Sequence, residues 1–440
     1  MASERICLIT LVLFYAHFTN VQSATSNSLS DCQAVASSFR TTINYTASNI
    51  TATTGVNVTC SQSGLVCPGQ TINGVCVWQR KLSAVCRNAS GTIKIRIQTN
   101  GLPPRCADVP SGTFAELNVD FEVNFNPSVS INSLNQNFSS ISTLSQTICT
   151  LTSVSTVPSA SGFVSYGATL LSTASGVSVD GVMIFSPDSA NNIDPFYPPA
   201  GGTAESVDAC LAHCQVSGVY HYHIATGCQV NPPTGNVSSC ASTSACSSSV
   251  SSYSISSFSS YQTKTVIGLA KDGHVIYGPY LSSGTRVTSG FDACNGMFYD
   301  SNGNYAYFAT STYPYLVGCF GPANYPSFGP NCTTNGPSNY TMSSYALALL
   351  SNSTNSSTTV SSSNSTTTMS SSNSTTTMSS SNSTTTVSSS NSTTTMSSSN
   401  STTTASSSNS TTTTTRRSSS IAIHFNLNIF LLLFTLIVML

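Results

Sequence analysis

The run GVYHYHIATGC places Tyr220, His221, Tyr222 and His223 in one short stretch. In an extended strand, residues two apart share a face. His221 and His223 therefore present two imidazoles on one side, and Tyr220 and Tyr222 point to the other. His213 lies eight residues before His221, in CLAHCQ, within reach of a short hairpin or loop. Neutral imidazoles in this pattern suit zinc or copper, with His274 or Asp208 as a further ligand. The competing reading makes the histidines hydrogen-bonding residues of a polar core beside the tyrosines. A zinc-finger reading of C-x2-HC-x6-H-x-H-x4-C is weaker, because oxidised cysteines are not ligands.

An enzymatic use of the same residues would be a metal-assisted hydrolase or oxidase with Tyr220 or Tyr222 near the metal. Glu205 is the one glutamate near the cluster, and no nucleophile elbow or Ser-His-Asp spacing is legible. Asp208 and Asp292 fit turn caps beside the cysteines that follow them better than they fit catalytic bases. Whether the chain is an enzyme stays open at this stage.

Strands must position these groups. Segments such as TIKIRIQT and AELNVDFEVNF alternate apolar and polar residues between clusters of Gly, Pro, Asn and Ser, the pattern of strands and turns. The expected fold is mainly β: a pseudo-duplicated, disulfide-braced β-domain with a disordered C-terminal stalk. The duplication is visible when GVSVDGVMIFSP, from Gly176, is laid over GLAKDGHVIYGP, from Gly268. Each copy continues through a DAC triplet, at Asp208 and Asp292, to a Tyr-x-Tyr run. Asp180-Gly181 and Asp272-Gly273 predict a β-hairpin at the start of each copy. Where the first copy has His213, His221 and His223, the second has Met297, Ala306 and Phe308. Joint loss of all three favours a common role for them.

The cysteines follow the repeat. Cys210 matches Cys294 and Cys228 roughly matches Cys319, which predicts the disulfides Cys210 to Cys228 and Cys294 to Cys319. Cys214 has no counterpart, Phe298 standing in its place, and is expected to pair with Cys240 or Cys246 in a Ser-rich surface loop, 236–262. Five cysteines lie between residues 24 and 89, namely Cys32, Cys60, Cys67, Cys76 and Cys86. At least one of them must reach Cys106, Cys149 or the main domain. Sixteen cysteines in all, with Cys7 in an apolar leader, point to an oxidising compartment.

Both ends read as processing signals. Residues 1–23 form a secretory signal peptide. At the other end, Ser418, Ser419 and Ser420, a short spacer and the terminal run IFLLLFTLIVML resemble a GPI-attachment signal with lipidation at Ser418; the run is short for a retained membrane span. Charged residues are 6% of the chain and the net charge is −1, so no basic field exists to attract nucleic acid. Sequons begin at Asn44, Asn49, Asn57, Asn88, Asn137, Asn236, Asn331, Asn339 and Asn352, and predict an N-glycosylated surface. From Ser351 to Thr415 runs an array of nine-residue SSSNSTTTM-like units with Asn364, Asn373, Asn382, Asn391, Asn400 and Asn409 at equivalent places. It has no apolar periodicity to bury, so it should stay extended as an O-glycosylated stalk or plain spacer.

Taken together, DGVMIFSP, DACLAHC, GVYHYH, GLAKDGHVIYGPY, DACNG and YPYLVGCF resemble, in order, the YHYH domain family, over about residues 90 to 332. That resemblance implies a secreted or surface-exposed protein and supplies no defined reaction. The chain departs from the usual pattern at Cys294-Asn295-Gly296-Met297 and Tyr305-Ala306-Tyr307-Phe308, where further histidines often stand, and at Arg105, near the family's opening His. The expected organisation is a leader 1–23, a Cys-containing extension 24–89, a YHYH-like domain 90–345 with repeats at about 176–228 and 268–319, a stalk 346–417 and an attachment signal 418–440. The expected protein is extracellular, held at the plasma membrane through a GPI anchor or shed from it. It presents its β-domain to a glycan, matrix component or other extracellular ligand. Phe196, Tyr197, Tyr313, Tyr315 and Phe320 could stack on sugars, or more readily fill core corners.

Overall fold

The computed structural model describes residues 26–43, 49–52, 65, 67–72, 76–107, 116–131, 140–150, 154, 162–214, 218–281, 284–325 and 327–354, with the backbone of repeat strands between 358 and 415. The leader, Asn44, Asn57, Cys60, Asn137, the six repeat asparagines and residues 418–440 lie outside the described residues. The chain forms two compact units, 1–349 and 350–440.

In the first unit, β1 (Thr71–Ile72) and β2 (Cys76–Val77) make a small antiparallel ribbon. An antiparallel four-stranded sheet follows in chain order: β3 (Leu82–Ala89), β4 (Thr92–Thr99), β5 (Val119–Asn124) and β6 (Phe163–Ser165). The alternation in TIKIRIQT and VDFEVN sends Ile95, Ile97, Phe121 and Val123 into the core. The other parity of β4 and β5 carries Arg96 paired to Asp120 at 2.6 Å.

The larger sheet holds eight strands: β7 (Ala174–Ser178), β8 (Met183–Phe185), β9 (Ala212–Cys214), β10 (Tyr220–Tyr222), β11 (Val266–Ala270), β12 (Val275–Tyr277), β13 (Gly296–Phe298) and β14 (Tyr305–Phe308). Their order is β13-β14-β12-β11-β7-β8-β10-β9. Read outward from the middle, each half is a hairpin (β7–β8, β11–β12), a parallel partner (β10, β14) and an antiparallel edge strand (β9, β13). The halves meet where β7 and β11 pair antiparallel: Ala270 opposite Gly176, Leu269 opposite Val177 and Gly268 opposite Ser178. Val177 and Leu269 are repeat equivalents, as are Gly176 and Gly268. The sheet thus has a pseudo-two-fold axis through the Val177/Leu269 pair. Each hairpin carries a register shift at the same place, Ala174/Gly176 and Val266/Gly268.

The repeats keep their turn chemistry as well. Asp208 Oδ1 accepts from the Cys210 and Ala212 amides, and Asp292 Oδ1 from those of Cys294 and Gly296. Leu211 and Asn295, at the same point of each turn, both take a positive φ. The disulfides Cys210–Cys228 and Cys294–Cys319 occupy equivalent positions.

One face of the eight-stranded sheet shares a core with the four-stranded sheet, where Val177, Met183, Leu269 and Val275 meet Ile95, Ile97 and Phe121. The other packs Ile184, Ile267, Ile276, Tyr305 and Tyr307 with helices Ile141–Ile148 and Ser244–Ser248. An N-terminal helix, Leu29–Ala36, starts at Ser28, whose side chain caps Asp31 while Asp31 returns a bond to the Ser28 amide. Cys32–Cys86 ties it to β3, Cys67–Cys106 ties the ribbon region to the loop after β4, and Cys149–Cys332 encloses all eight strands of the larger sheet in the chain.

Two expectations are corrected here. Cys240 bonds Cys246, not Cys214. Cys214 is a buried thiol on the tyrosine side of β9, among Trp78, Tyr220 and Tyr222, and burial pushes it up to about 12. The stretch 236–262 is not a plain surface loop, because it folds into short helices that bury Cys246, Ile255 and Phe258. Its serines cap those helices, as Ser249 does for Ser252.

The second unit is built from the nine-residue repeats. Strands β15 (Thr358–Ser363), β16 (Thr366–Ser372), β17 (Thr376–Ser381), β18 (Thr384–Ser390), β19 (Thr393–Ser399), β20 (Thr402–Ser408) and β21 (Thr411–Thr415) follow the nine-residue repeat. Alternate repeats pair parallel and in sequence register, as Thr358 with Thr376. Most units offer one apolar side chain, such as Met369 or Val387. That is too little burial to offset the entropy of ordering, as befits a disordered stalk.

The seam between the repeats admits no side chain at its glycines. A Cβ on Gly176 would sit 2.3 Å from Leu269 O, and one on Gly268 would sit 2.8 Å from Val177 O. Gly176→Ala is expected to cost about 2–3 kcal/mol through strand displacement, read as a lower denaturant midpoint at unchanged m-value. Gly329→Ala, in open space on the surface and without a positive φ, serves as the control for the glycine-to-alanine change alone.

Candidate metal centre

The strand geometry puts His213 and His221 directly opposite each other on β9 and β10. His223 follows two residues on from His221, so all three imidazoles share one face at the edge of the sheet. Their ring centroids lie 4.4, 4.7 and 5.5 Å apart. One donor atom from each lies within 4.8 Å of the others. Phe185 stacks on His221 at 3.9 Å, and Phe196 meets His223 edge-on at 6.5 Å, giving the cluster an apolar wall.

Outer contacts fix the tautomers. His221 Nδ1 lies 2.9 Å from Val219 O, and His223 Nδ1 lies 2.7 Å from Ser186 O. A carbonyl can only accept, so both Nδ1 atoms carry the proton. Both Nε2 atoms are then bare lone pairs, and they face each other 3.0 Å apart. Two acceptors at that distance repel unless a cation lies between them. Backbone carbonyls that hold the far nitrogen are also the usual support of metal-bound histidine. Burial, then the charges of His223 and His213, push the His221 pKa far down, and burial with His213 lowers that of His223 to about 4. Both are therefore neutral, the ligand form, near neutral pH.

Glu205 comes to the same place from the loop before β9. Its Oε2 lies 3.0 Å from His213 Nε2 and 3.6 Å from His223 Nε2. The first contact is close yet lacks hydrogen-bond geometry, and both atoms are buried without a hydrogen-bond partner. Burial would raise the Glu205 carboxyl; the His213 contact and the charges of His223 and His213 outweigh it and hold the group below its usual range.

The other sequence candidates do not join. Asp208 is taken up by the Cys210 and Ala212 amides and by the Tyr220 hydroxyl. His274 bridges Asp272, at 2.9 Å from Nδ1, and Pro127 O, at 3.0 Å from Nε2, beside Tyr305 and Tyr307 in the second repeat. The metal set is corrected accordingly: both residues serve the polar core on the tyrosine face. Phe196, Tyr313, Tyr315 and Phe320 are buried, which removes them as a sugar-stacking surface; Tyr313 and Tyr315 bond Asp188 and Asp194. Among the described residues, Asn49, Asn88, Asn236, Asn331 and Asn339 are exposed, as glycosylation requires.

On the opposite face of β10 the tyrosines anchor a buried network that the sequence reading missed. Arg105, fully buried, reaches Asp180 Oδ2 at 3.0 Å, the Tyr220 hydroxyl at 3.0 Å and the Tyr222 hydroxyl at 2.7 Å. Tyr222 donates to Asp180, and Tyr220 to Asp208. The second repeat keeps the same bonds, Tyr307 to Asp272 and Tyr305 to Asp292, each at 2.7 Å. There His274 replaces arginine as the partner of the hairpin aspartate. On the histidine face, the second repeat fills the equivalent space with Met297, Ala306 and Phe308 in the apolar core.

These features define an all-but-symmetric, disulfide-braced β-domain of two fused halves, one of which carries a three-imidazole cluster. The family model described as YHYH protein matches residues 154–290. The chain therefore carries a YHYH domain, matched across the first repeat and the opening hairpin of the second. Curated proteins and solved structures give no match.

Removing the arginine strands the carboxylates it serves. Arg105→Met is expected to destabilise the fold by about 3–5 kcal/mol, because it leaves the buried Asp180 without its cation. Pairing it with Asp180→Asn should recover part of that loss in thermal melts. Equal melting of the single and double variants would show that the ion pair does not set stability.

Proposed function

We propose that this chain is an extracellular surface glycoprotein whose YHYH domain holds a divalent zinc or copper ion through His213, His221 and His223 and presents the metallated domain to an extracellular ligand. The facing Nε2 lone pairs of His221 and His223, 3.0 Å apart with both Nδ1 atoms committed elsewhere, carry this reading. The absence of these imidazoles from the otherwise matching second repeat supports it. Six disulfides among the described residues fit an oxidising compartment. Ser418, Ser419 and Ser420, the short spacer and the terminal run IFLLLFTLIVML support a GPI anchor near Ser418.

The test is metal content of the protein secreted from eukaryotic cells, beside His221→Ala/His223→Ala. Near-stoichiometric zinc or copper in the parent and none in the double variant is expected. Saturating metal, at 100 times Kd, should add about 2.7 kcal/mol of stability to the parent alone. Parent and variant both metal-free and equally stable after metal is offered would make the histidines packing residues. On cells, a phosphatidylinositol-specific phospholipase should release the protein; retention would point to a peptide anchor.

A further inference from the structure

We propose that Glu205 is the fourth ligand of the histidine centre, drawn inward when metal binds, so that the ion is closed off by protein and braces the 198–206 loop against β9 and β10 instead of presenting an open position for chemistry. This rests on the three-histidine reading above and says what kind of site it is.

The distances argue for it. Four ligands held tetrahedrally at about 2.0–2.1 Å from zinc stand about 3.3 Å from one another. The contacts at this site are 3.0 Å from His221 Nε2 to His223 Nε2, 3.0 Å from Glu205 Oε2 to His213 Nε2, and 3.6 Å from Glu205 Oε2 to His223 Nε2. All three lie close to the edge of that tetrahedron. Glu205 Oε2 and His213 Nε2 are buried atoms with no hydrogen-bond partner, and such a pair is costly unless something else satisfies it. A cation between them does so.

The donor set is three nitrogens and one carboxylate oxygen. Cys214, the neighbour of His213, belongs to the opposite face of β9, so no soft thiolate enters. Nitrogen and oxygen donors suit a divalent ion of zinc type over copper(I). One carboxylate also leaves the centre with a single net positive charge, less costly than two against the Phe185 and Phe196 rings.

The imidazole donors, but not the carboxylate, form the set lying wholly within 4.8 Å. Closure therefore requires Glu205 to move. Its loop permits this: Ala200 to Ala204 are exposed, and the Glu205 amide is held by Pro195 O at 2.7 Å. The side chain swings from a fixed backbone point, and four protein ligands then mark a structural site, not a catalytic one.

The experiment loads the full-length chain, purified from eukaryotic cells, with cobalt(II) as a coloured stand-in for zinc. Glu205→Gln and Glu205→Asp are compared with the parent, and azide is the probe for an open coordination position. Metal-free melts first establish that the variants fold, as expected for small polar changes at a partly exposed side chain. The parent should show an intense tetrahedral spectrum that azide leaves unchanged. Glu205→Gln should bind roughly 100-fold more weakly, since loss of mere supporting groups already costs 10–100-fold; its spectrum should change and become azide-sensitive. Glu205→Asp, which keeps a shorter carboxylate, should fall between. If the parent takes up cobalt but Glu205→Gln matches it in affinity and spectrum, or azide alters the parent, Glu205 is not a ligand and the three-histidine reading stands alone. If the parent takes up no metal at all, that reading fails and this one with it.

Discussion

The antiparallel pairing of β7 with β11 is the constraint on which the rest of the molecule depends. Taken alone, each four-stranded half would expose the inner edge of its hairpin. Joined at Val177 and Leu269, the halves form one continuous eight-stranded sheet, and both inner edges disappear. The close approach of the backbones at Gly176 and Gly268 fixes the register, and with it which residues fall on each face. A slip by one residue would exchange the tyrosine and histidine faces relative to the cores they meet.

Symmetry of backbone then allowed asymmetry of side chains. The tyrosine face kept its Tyr-to-Asp bonds in both copies, because buried hydroxyls and carboxylates satisfy one another there and losing either would strand its partner. What differs is the residue that accompanies them, Arg105 in the first copy and His274 in the second. The other face diverged further, to three imidazoles in one half and Met297, Ala306 and Phe308 in the other. The apolar version adds to the core. The imidazole version places neutral nitrogen lone pairs against one another, an arrangement that packing alone does not reward.

Much of this was legible in the residue pattern because it is local or repeated. Alternation put His221 and His223 on one face, and aligning the copies matched Cys210 with Cys294 and Cys228 with Cys319. Asp-Gly dipeptides located both hairpins. Partners brought by long excursions were not legible in the same way. Arg105 arrives from the loop after β4, 115 residues before Tyr220, and its only signal was its place near the family's opening histidine. Glu205 was noticed as the nearest glutamate, but its loop has no periodicity from which a direction could be read. His274 and Asp208 were misassigned to the metal because residue type alone does not say which hydrogen bonds are already made. The helices of 244–256 were hidden for a related reason: serine-rich sequence has weak helix propensity, and burial of Cys246 and Ile255 overrides it.

The Cys149–Cys332 bond joins positions 183 residues apart, and between them lies the whole of the eight-stranded sheet. This has a mechanical meaning. Tension applied along the backbone from beyond residue 332 crosses directly to residue 149 through a covalent bond. The strands, the turn disulfides and the histidine cluster hang on a side loop that carries no load. Pulled between its two ends, the chain would yield first in its repeats and in its amino-terminal elements, while the segment between the two cysteines stayed bypassed by the covalent bond.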